Sequence, residues 1–152
     1  MKTKLLLLFT LLFALSLLAQ ETKVPKKVKD SFVKLYPNAK DVKWDQEGDE
    51  EFEASFKNGT EQISVVFDED GRVEETETVI EVKNLSKPIL DFVAQNYSDY
   101  KITETAKIVD DKGIVTFEAE VTKGKEKKDL IFDANGKQVK KEAKESDEKD
   151  ED

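Results

Sequence analysis

The chain of 152 residues contains neither cysteine nor histidine, which removes disulfide bracing, thiolate nucleophiles and the imidazole proton shuttle from its repertoire. Acidic residues outnumber basic ones 34 to 25, for a formal net charge of -9. Such a balance repels nucleic acid and anionic lipid surfaces and favours cations or basic partners.

Residues 1–19 read as a signal peptide. Lys2 and Lys4 precede an apolar run over 5–18 that only Thr10 and Ser16 interrupt, and Ala19 offers a cleavage point before Gln20. The run is short for a bilayer span and charged residues follow it at once, so cleavage is expected, with no membrane insertion afterwards. No cysteine stands at the new N-terminus to carry a lipid. The mature product is expected to be soluble in a bacterial periplasm or secreted from one, and more acidic by the two lysines lost.

Val24, Val28, Phe32, Leu35 and Tyr36 recur at helical spacing, with Pro25 where a first-turn proline is tolerated. A first helix is predicted over 25–36, ending before Pro37. Alternation with period two follows: Val42 and Trp44, then Phe52, Ala54 and Phe56, then Ile63, Val65 and Phe67 point one way. Asn58-Gly59 and Asp70-Gly71 tolerate positive φ and read as hairpin turns. The first unit, residues 20–82, is thus a helix followed by a four-stranded antiparallel meander.

The second unit, residues 83–143, repeats it. Val24, Val28, Phe32 and Tyr36 return 61 residues later as Leu85, Ile89, Val93 and Tyr97, and Phe52-Glu53-Ala54 returns 65 later as Phe117-Glu118-Ala119. A longer loop near 110–113 is expected to absorb the change of offset. Ser86 is a reasonable N-cap, Pro88 lies in the first turn, and strands are predicted over 102–109, 114–122, 126–133 and 137–143. Two copies of one supersecondary unit imply an α+β fold in which both helices cover one face of an eight-stranded sheet. Residues 144–152 are almost wholly charged and are expected to form a disordered acidic tail.

This order of features resembles the PepSY-like proteins of Bacteroidetes periplasms, whose fold is similar to that of β-lactamase inhibitor protein (BLIP-like). The matching residues are Val24-Pro25 through Tyr36-Pro37, Val42-x-Trp44, Phe52-Glu53-Ala54-x-Phe56 and Phe67-Asp68-x-x-Gly71 in the first half. In the second they are Tyr100-x-Ile102, Phe117-Glu118-Ala119-Glu120-Val121 and Phe132-Asp133-x-x-Gly136. Val73 and Val139 stand where many relatives carry an aromatic residue. The resemblance implies recognition of a protein, by analogy with an inhibitor that presses a concave sheet onto an enzyme.

Enzymatic chemistry has little to work with, since the carboxylate pairs Glu51/Glu53 and Glu118/Glu120 are expected on the solvent side of strands. The expected activity is therefore binding, not catalysis. Alternation places Glu51, Glu53, Ser55, Gln62, Ser64 and Val66 of the first unit, with Thr76 and Thr78, on an open sheet face. Glu118, Glu120, Asp129 and Ile131 join them from the second unit, beside Lys127. This wet, acidic surface, with Val66 and Ile131 as apolar anchors, is the candidate contact for a basic protein or peptide, inhibition of an enzyme being one form of such contact. The alternative is a calcium- or cation-responsive envelope protein using Asp68 and Asp70 of one turn and Asp133 and Asn135 of the other. An Asx-type hairpin turn accounts for the same residues without an ion. Trp44 shares the face of the core residues and is expected to pack there.

Overall fold

The computed structural model describes residues 23–48 and 50–139; the signal-peptide, cleavage-site and acidic-tail expectations fall outside them. Helix α1, Lys26–Leu35, precedes strands β1, Lys40–Glu47; β2, Glu51–Asn58; β3, Glu61–Asp68; and β4, Val73–Val79. A 3-10 turn, Val82–Asn84, leads into helix α2, Lys87–Asn96. Strands β5, Lys101–Asp110; β6, Val115–Lys123; β7, Glu126–Asp133; and β8, Gln138–Val139, complete the chain. All eight strands form one antiparallel sheet in strict chain order, β1 to β8. The described part of the last strand is two residues long; Lys137, at the start of its predicted span, precedes the strand, and residues 140–143 lie outside the described residues.

Proline sets the start of both helices. Pro25 is the N-cap of α1, and α2 follows Ser86 with Pro88 in its first turn, where a missing N–H costs nothing. Each helix buries one stripe against the sheet. Val28 and Phe32 do so in α1, Ile89 and Val93 in α2, each such side chain contributing about 1.5–3 kcal/mol. Leu35, placed on the first stripe by spacing, is exposed, because the helix ends there and Tyr36 takes over the packing.

The core consists of two clusters that mirror the repeat. The first joins Val24, Val28 and Phe32 to Phe52, Ala54, Phe56, Ile63, Val65 and Phe67. Phe32 is its centre, meeting Trp44 edge-on at 5.2 Å and Phe56 at 5.0 Å between ring centroids, an arrangement favoured by the ring quadrupoles. The second joins Leu85, Ile89 and Val93 to Ala119, Val121, Leu130 and Phe132. Both helices therefore lie on the same side of the sheet, as the repeat implies.

One glycine in each unit seats a hairpin turn on a helix. Gly71 and Gly136 both have φ of +80°. A β-carbon on Gly71 would lie 2.7 Å from Ser31 Oγ and 2.8 Å from the Lys27 carbonyl; one on Gly136 would lie 2.7 Å from Pro88 Cβ. Lys27 reinforces the first seam by donating to Asp70 at 2.7 Å.

The extra residues of the second unit are not mainly in a loop. Most of the added length is in β5 and β6, with ten and nine residues against eight each in β1 and β2. Extra paired backbone keeps its hydrogen bonds satisfied, which a longer loop does not. The two units join along β4 and β5, where Ile80 N–H donates to the Thr105 carbonyl at 2.9 Å and Thr105 Oγ1 donates to the Ile80 carbonyl at 2.6 Å.

Candidate functional site

The helix-free face of the sheet is built in rows that the register defines. One row runs Asp45, Glu53, Val66, Glu75, Asp110 across β1 to β5. The next runs Lys43, Ser55, Ser64, Glu77, Ile108, Thr116. A third joins Ala106, Glu118, Ile131 and Val139, and beside it Glu104, Glu120 and Asp129 stand abreast. Glu51 and Gln62 belong to this face by the same alternation. Ten of the twelve residues assigned to the face from sequence therefore lie on it.

Thr76 and Thr78 do not. They pair with Val65 and Ile63 and so face the helices. The cause is a bulge: Val66 pairs with Glu75 but Phe67 with Val73, leaving Glu74 as an extra residue. One inserted residue flips every later side chain in the strand. Glu75 and Glu77 take the places given to the threonines. A second irregularity, between Ile102 and Glu104, does the same for Glu104.

The face is also not uniformly wet. Glu53, Ser64, Val66, Glu118, Glu120 and Ile131 are buried, as are Glu75 and Glu77; Glu51, Ser55 and Asp129 are half-buried and Gln62 is exposed. In the central rows each carboxylate stands between cross-strand neighbours on both sides, so the expectation of a fully solvated surface fails there. Val66 and Ile131, expected as exposed anchors, are covered in the same rows.

Burial raises the proton affinity of three acids on this face. Desolvation, followed by repulsion from Glu118, Glu75, Glu104 and Glu53, pushes the Glu77 carboxyl up to about 9. Desolvation pushes Glu53 up to about 7, against hydrogen bonds from Ser64 and Ser55 and with repulsion from Glu47; Ser55 Oγ lies 3.0 Å from Glu53 Oε1. Glu104 is raised by burial and then by Glu120, while Lys127 opposes the shift. Lys127 crosses to Glu120 at 2.5 Å, and Thr103 Oγ1 also reaches Glu120. A carboxyl near neutrality can hold or release a proton, but it needs a reacting atom beside it to be catalytic.

Toward the β1 side the face opens into a cavity of about 620 Å³ bordered by β1 to β5. Asp41 at its rim has φ of +56°, alone among the described non-glycine residues in being positive, within a β1 irregularity between Lys40 and Lys43. Ser55 and Ser64 hydroxyls lie 3.1 Å apart at its floor.

The turn residues are engaged locally. Asp68 Oδ1 accepts the Arg72 N–H at 2.8 Å. Asp133 Oδ1 accepts the Asn135 and Lys137 N–H groups at 2.9 and 3.0 Å, and Asp70 holds Lys27. Among the described residues no group of three or more acidic side chains is placed to hold a metal ion, and no helix is long and apolar enough to cross a membrane.

No protein-family model matches the chain, and no curated protein matches it. Solved structures do. A DUF2874 family protein from Bacteroides ovatus is 23% identical with a TM-score of 0.65, over 76% of this chain and 84% of its own. A candidate periplasmic protein from Bacteroides eggerthii is 18% identical with a TM-score of 0.69, over 78% and 88%. A BLIP-like protein from Bacteroides fragilis is 25% identical with a TM-score of 0.60, over 78% and 85%. In its two helices on one eight-stranded antiparallel sheet, the chain has the α+β fold of these BLIP-like and DUF2874 proteins of Bacteroides.

Proposed function

We propose that the protein is a non-enzymatic periplasmic binding module that recognises a protein or peptide through its helix-free, acidic sheet face. The observation that carries this reading is the array of Glu53, Glu75, Glu104 and Glu118 around Glu77, whose proton affinity all four raise; all but the half-buried Glu104 are buried. A cationic partner offsets the repulsion among these groups and favours their ionised forms. The N-terminal signal sequence and the descriptions of the B. eggerthii and B. fragilis proteins as candidate periplasmic and BLIP-like support the compartment and the class of role.

The test is capture of partners from a periplasmic fraction by the mature protein. Because Glu53 and Glu118 are buried, the informative variants are Glu53→Gln and Glu118→Gln, which remove charge and keep volume; Asp30→Asn and Asp91→Asn on the exposed helix surfaces serve as controls. Loss of capture with the first pair alone is expected. Equal capture by both pairs would overturn this assignment of the face.

A further inference from the structure

The cavity toward the β1 side has ammonium groups at one end and carboxyl groups at the other. Lys43 and Lys57 line it from β1 and β2, Glu77 and Glu104 from β4 and β5. Between them the floor offers the paired Ser55 and Ser64 hydroxyls, and the walls include Val42 and Val79, two of the exposed large apolar residues of the molecule. Asp41, Val42 and Lys43 also line the cavity, at the β1 irregularity in which Asp41 adopts the left-handed conformation. Aspartate visits that conformation more readily than most non-glycine residues, at a cost of about 1 kcal/mol. Asp41 then pairs with Lys57 at 3.1 Å, both side chains more than half exposed. Such a pair has little net energy and can share its ammonium with an incoming anion.

Strands lie about 4.8 Å apart, so β2 and β4 place their ionisable groups roughly 10 Å apart, and β1 and β4, or β2 and β5, roughly 14 Å. An extended chain advances about 3.3 Å per residue, so three or four residues cover that separation. We propose that this cavity binds the C-terminal three or four residues of an extended peptide, with the terminal carboxylate at Lys43 and Lys57 and a Lys or Arg side chain at Glu104, beside the buried Glu77. The proposal rests on the reading of the face as a peptide- or protein-recognition surface and names the chemistry that one end of it selects. Small apolar side chains between the two charges meet Val42 and Val79, and the serine hydroxyls meet the peptide backbone.

Calorimetric titration of the mature protein with N-acetyl-Arg-Ala-Val-Leu tests it. Three companions are run: the C-terminal amide, the peptide with citrulline in place of arginine, and the peptide with both changes. Stoichiometric binding of the free acid is expected, with each single change weakening it at least tenfold. Lys57→Ala should remove the penalty for amidation and keep that for citrulline; Glu104→Gln should do the reverse. Circular dichroism of both variants confirms folding, and both sites lie away from the protein's two core clusters. Equal affinity for all four peptides, absence of binding at millimolar peptide, or penalties that do not follow the variants would overturn the proposal. Glu53 and Glu118 do not line this cavity, so a failed peptide titration beside Glu53- and Glu118-dependent capture would reject the cavity alone, whereas loss of both would reject the face.

Discussion

Replacing Glu77 by glutamine isolates what a carboxyl costs in the middle of this sheet. Its folded-state value of about 9 stands above an ordinary 4.5, so the neutral form is the one the fold prefers. The sign follows from linkage: the stability gained from neutral Glu77 is complete below pH 4.5 and is lost as pH rises toward 9, because the unfolded chain gives up the proton and the folded one must keep it. Each pH unit in that window costs about 1.4 kcal/mol. At pH 7 the loss is about 3 kcal/mol and at pH 5 under about 1 kcal/mol, a large share of the roughly 5–15 kcal/mol that holds a typical domain together. Glutamine keeps the volume and has no proton to lose. Urea melts of Glu77→Gln and the parent at pH 5, 7 and 8.5 should therefore show a stability gain that grows with pH. A gain that is flat across the series, or a variant less stable at pH 8.5, would refute the reasoning from burial and from repulsion by Glu118, Glu75, Glu104 and Glu53.

Alanine at Gly71 or at Gly136 should cost about 2–4 kcal/mol each in urea melts, from the left-handed backbone and the helix atoms a β-carbon would strike; a loss below about 1 kcal/mol would show that the seam yields. Phe32→Ala removes the hub of the first core and should cost about 3–5 kcal/mol, with a shift in Trp44 emission, since the two rings touch; an unchanged spectrum would contradict that packing. Thr105→Val keeps shape and leaves the Ile80 carbonyl without its hydroxyl donor, so a loss of about 1–3 kcal/mol is expected, read by chemical denaturation; a neutral result would mean that the bond adds nothing to the junction. Millimolar calcium should leave the melting temperature unchanged, because Asp68 and Asp133 already accept backbone N–H groups; a rise reversed by chelator would restore the cation-responsive reading.

The architecture was legible because its determinants are local and written twice. Val28 and Phe32, Ile89 and Val93, the alternating Phe52, Ala54 and Phe56, and the Gly71 and Gly136 turns each announce their geometry within a few residues, and the structure places them accordingly. What sequence did not convey was the phase of β4 and β5. Glu74, Glu75, Thr76, Glu77 and Thr78 are all polar, so no apolar alternation marks the bulge that exchanges the threonines for Glu75 and Glu77. Nor does a strand pattern report how deeply a residue is covered. Burial of Glu53 and Glu118 depends on which side chains the flanking strands set beside them, such as Val66 and Ile131, and the cavity near Asp41 is bordered by a backbone irregularity that no residue type demands.

The strict chain order of the eight strands also bears on how the molecule acquires its shape. Every strand finds its neighbour through the next hairpin, except where α2 intervenes between β4 and β5, so few contacts require distant stretches to meet first. Chains of that kind assemble quickly for their β-content, and each unit carries its own hydrophobic cluster. Severed at the 3-10 turn Val82–Asn84, the halves should recombine when mixed. They would zip together along the Glu75–Val79 and Ala106–Asp110 edges, making the protein a natural scaffold for fragment complementation.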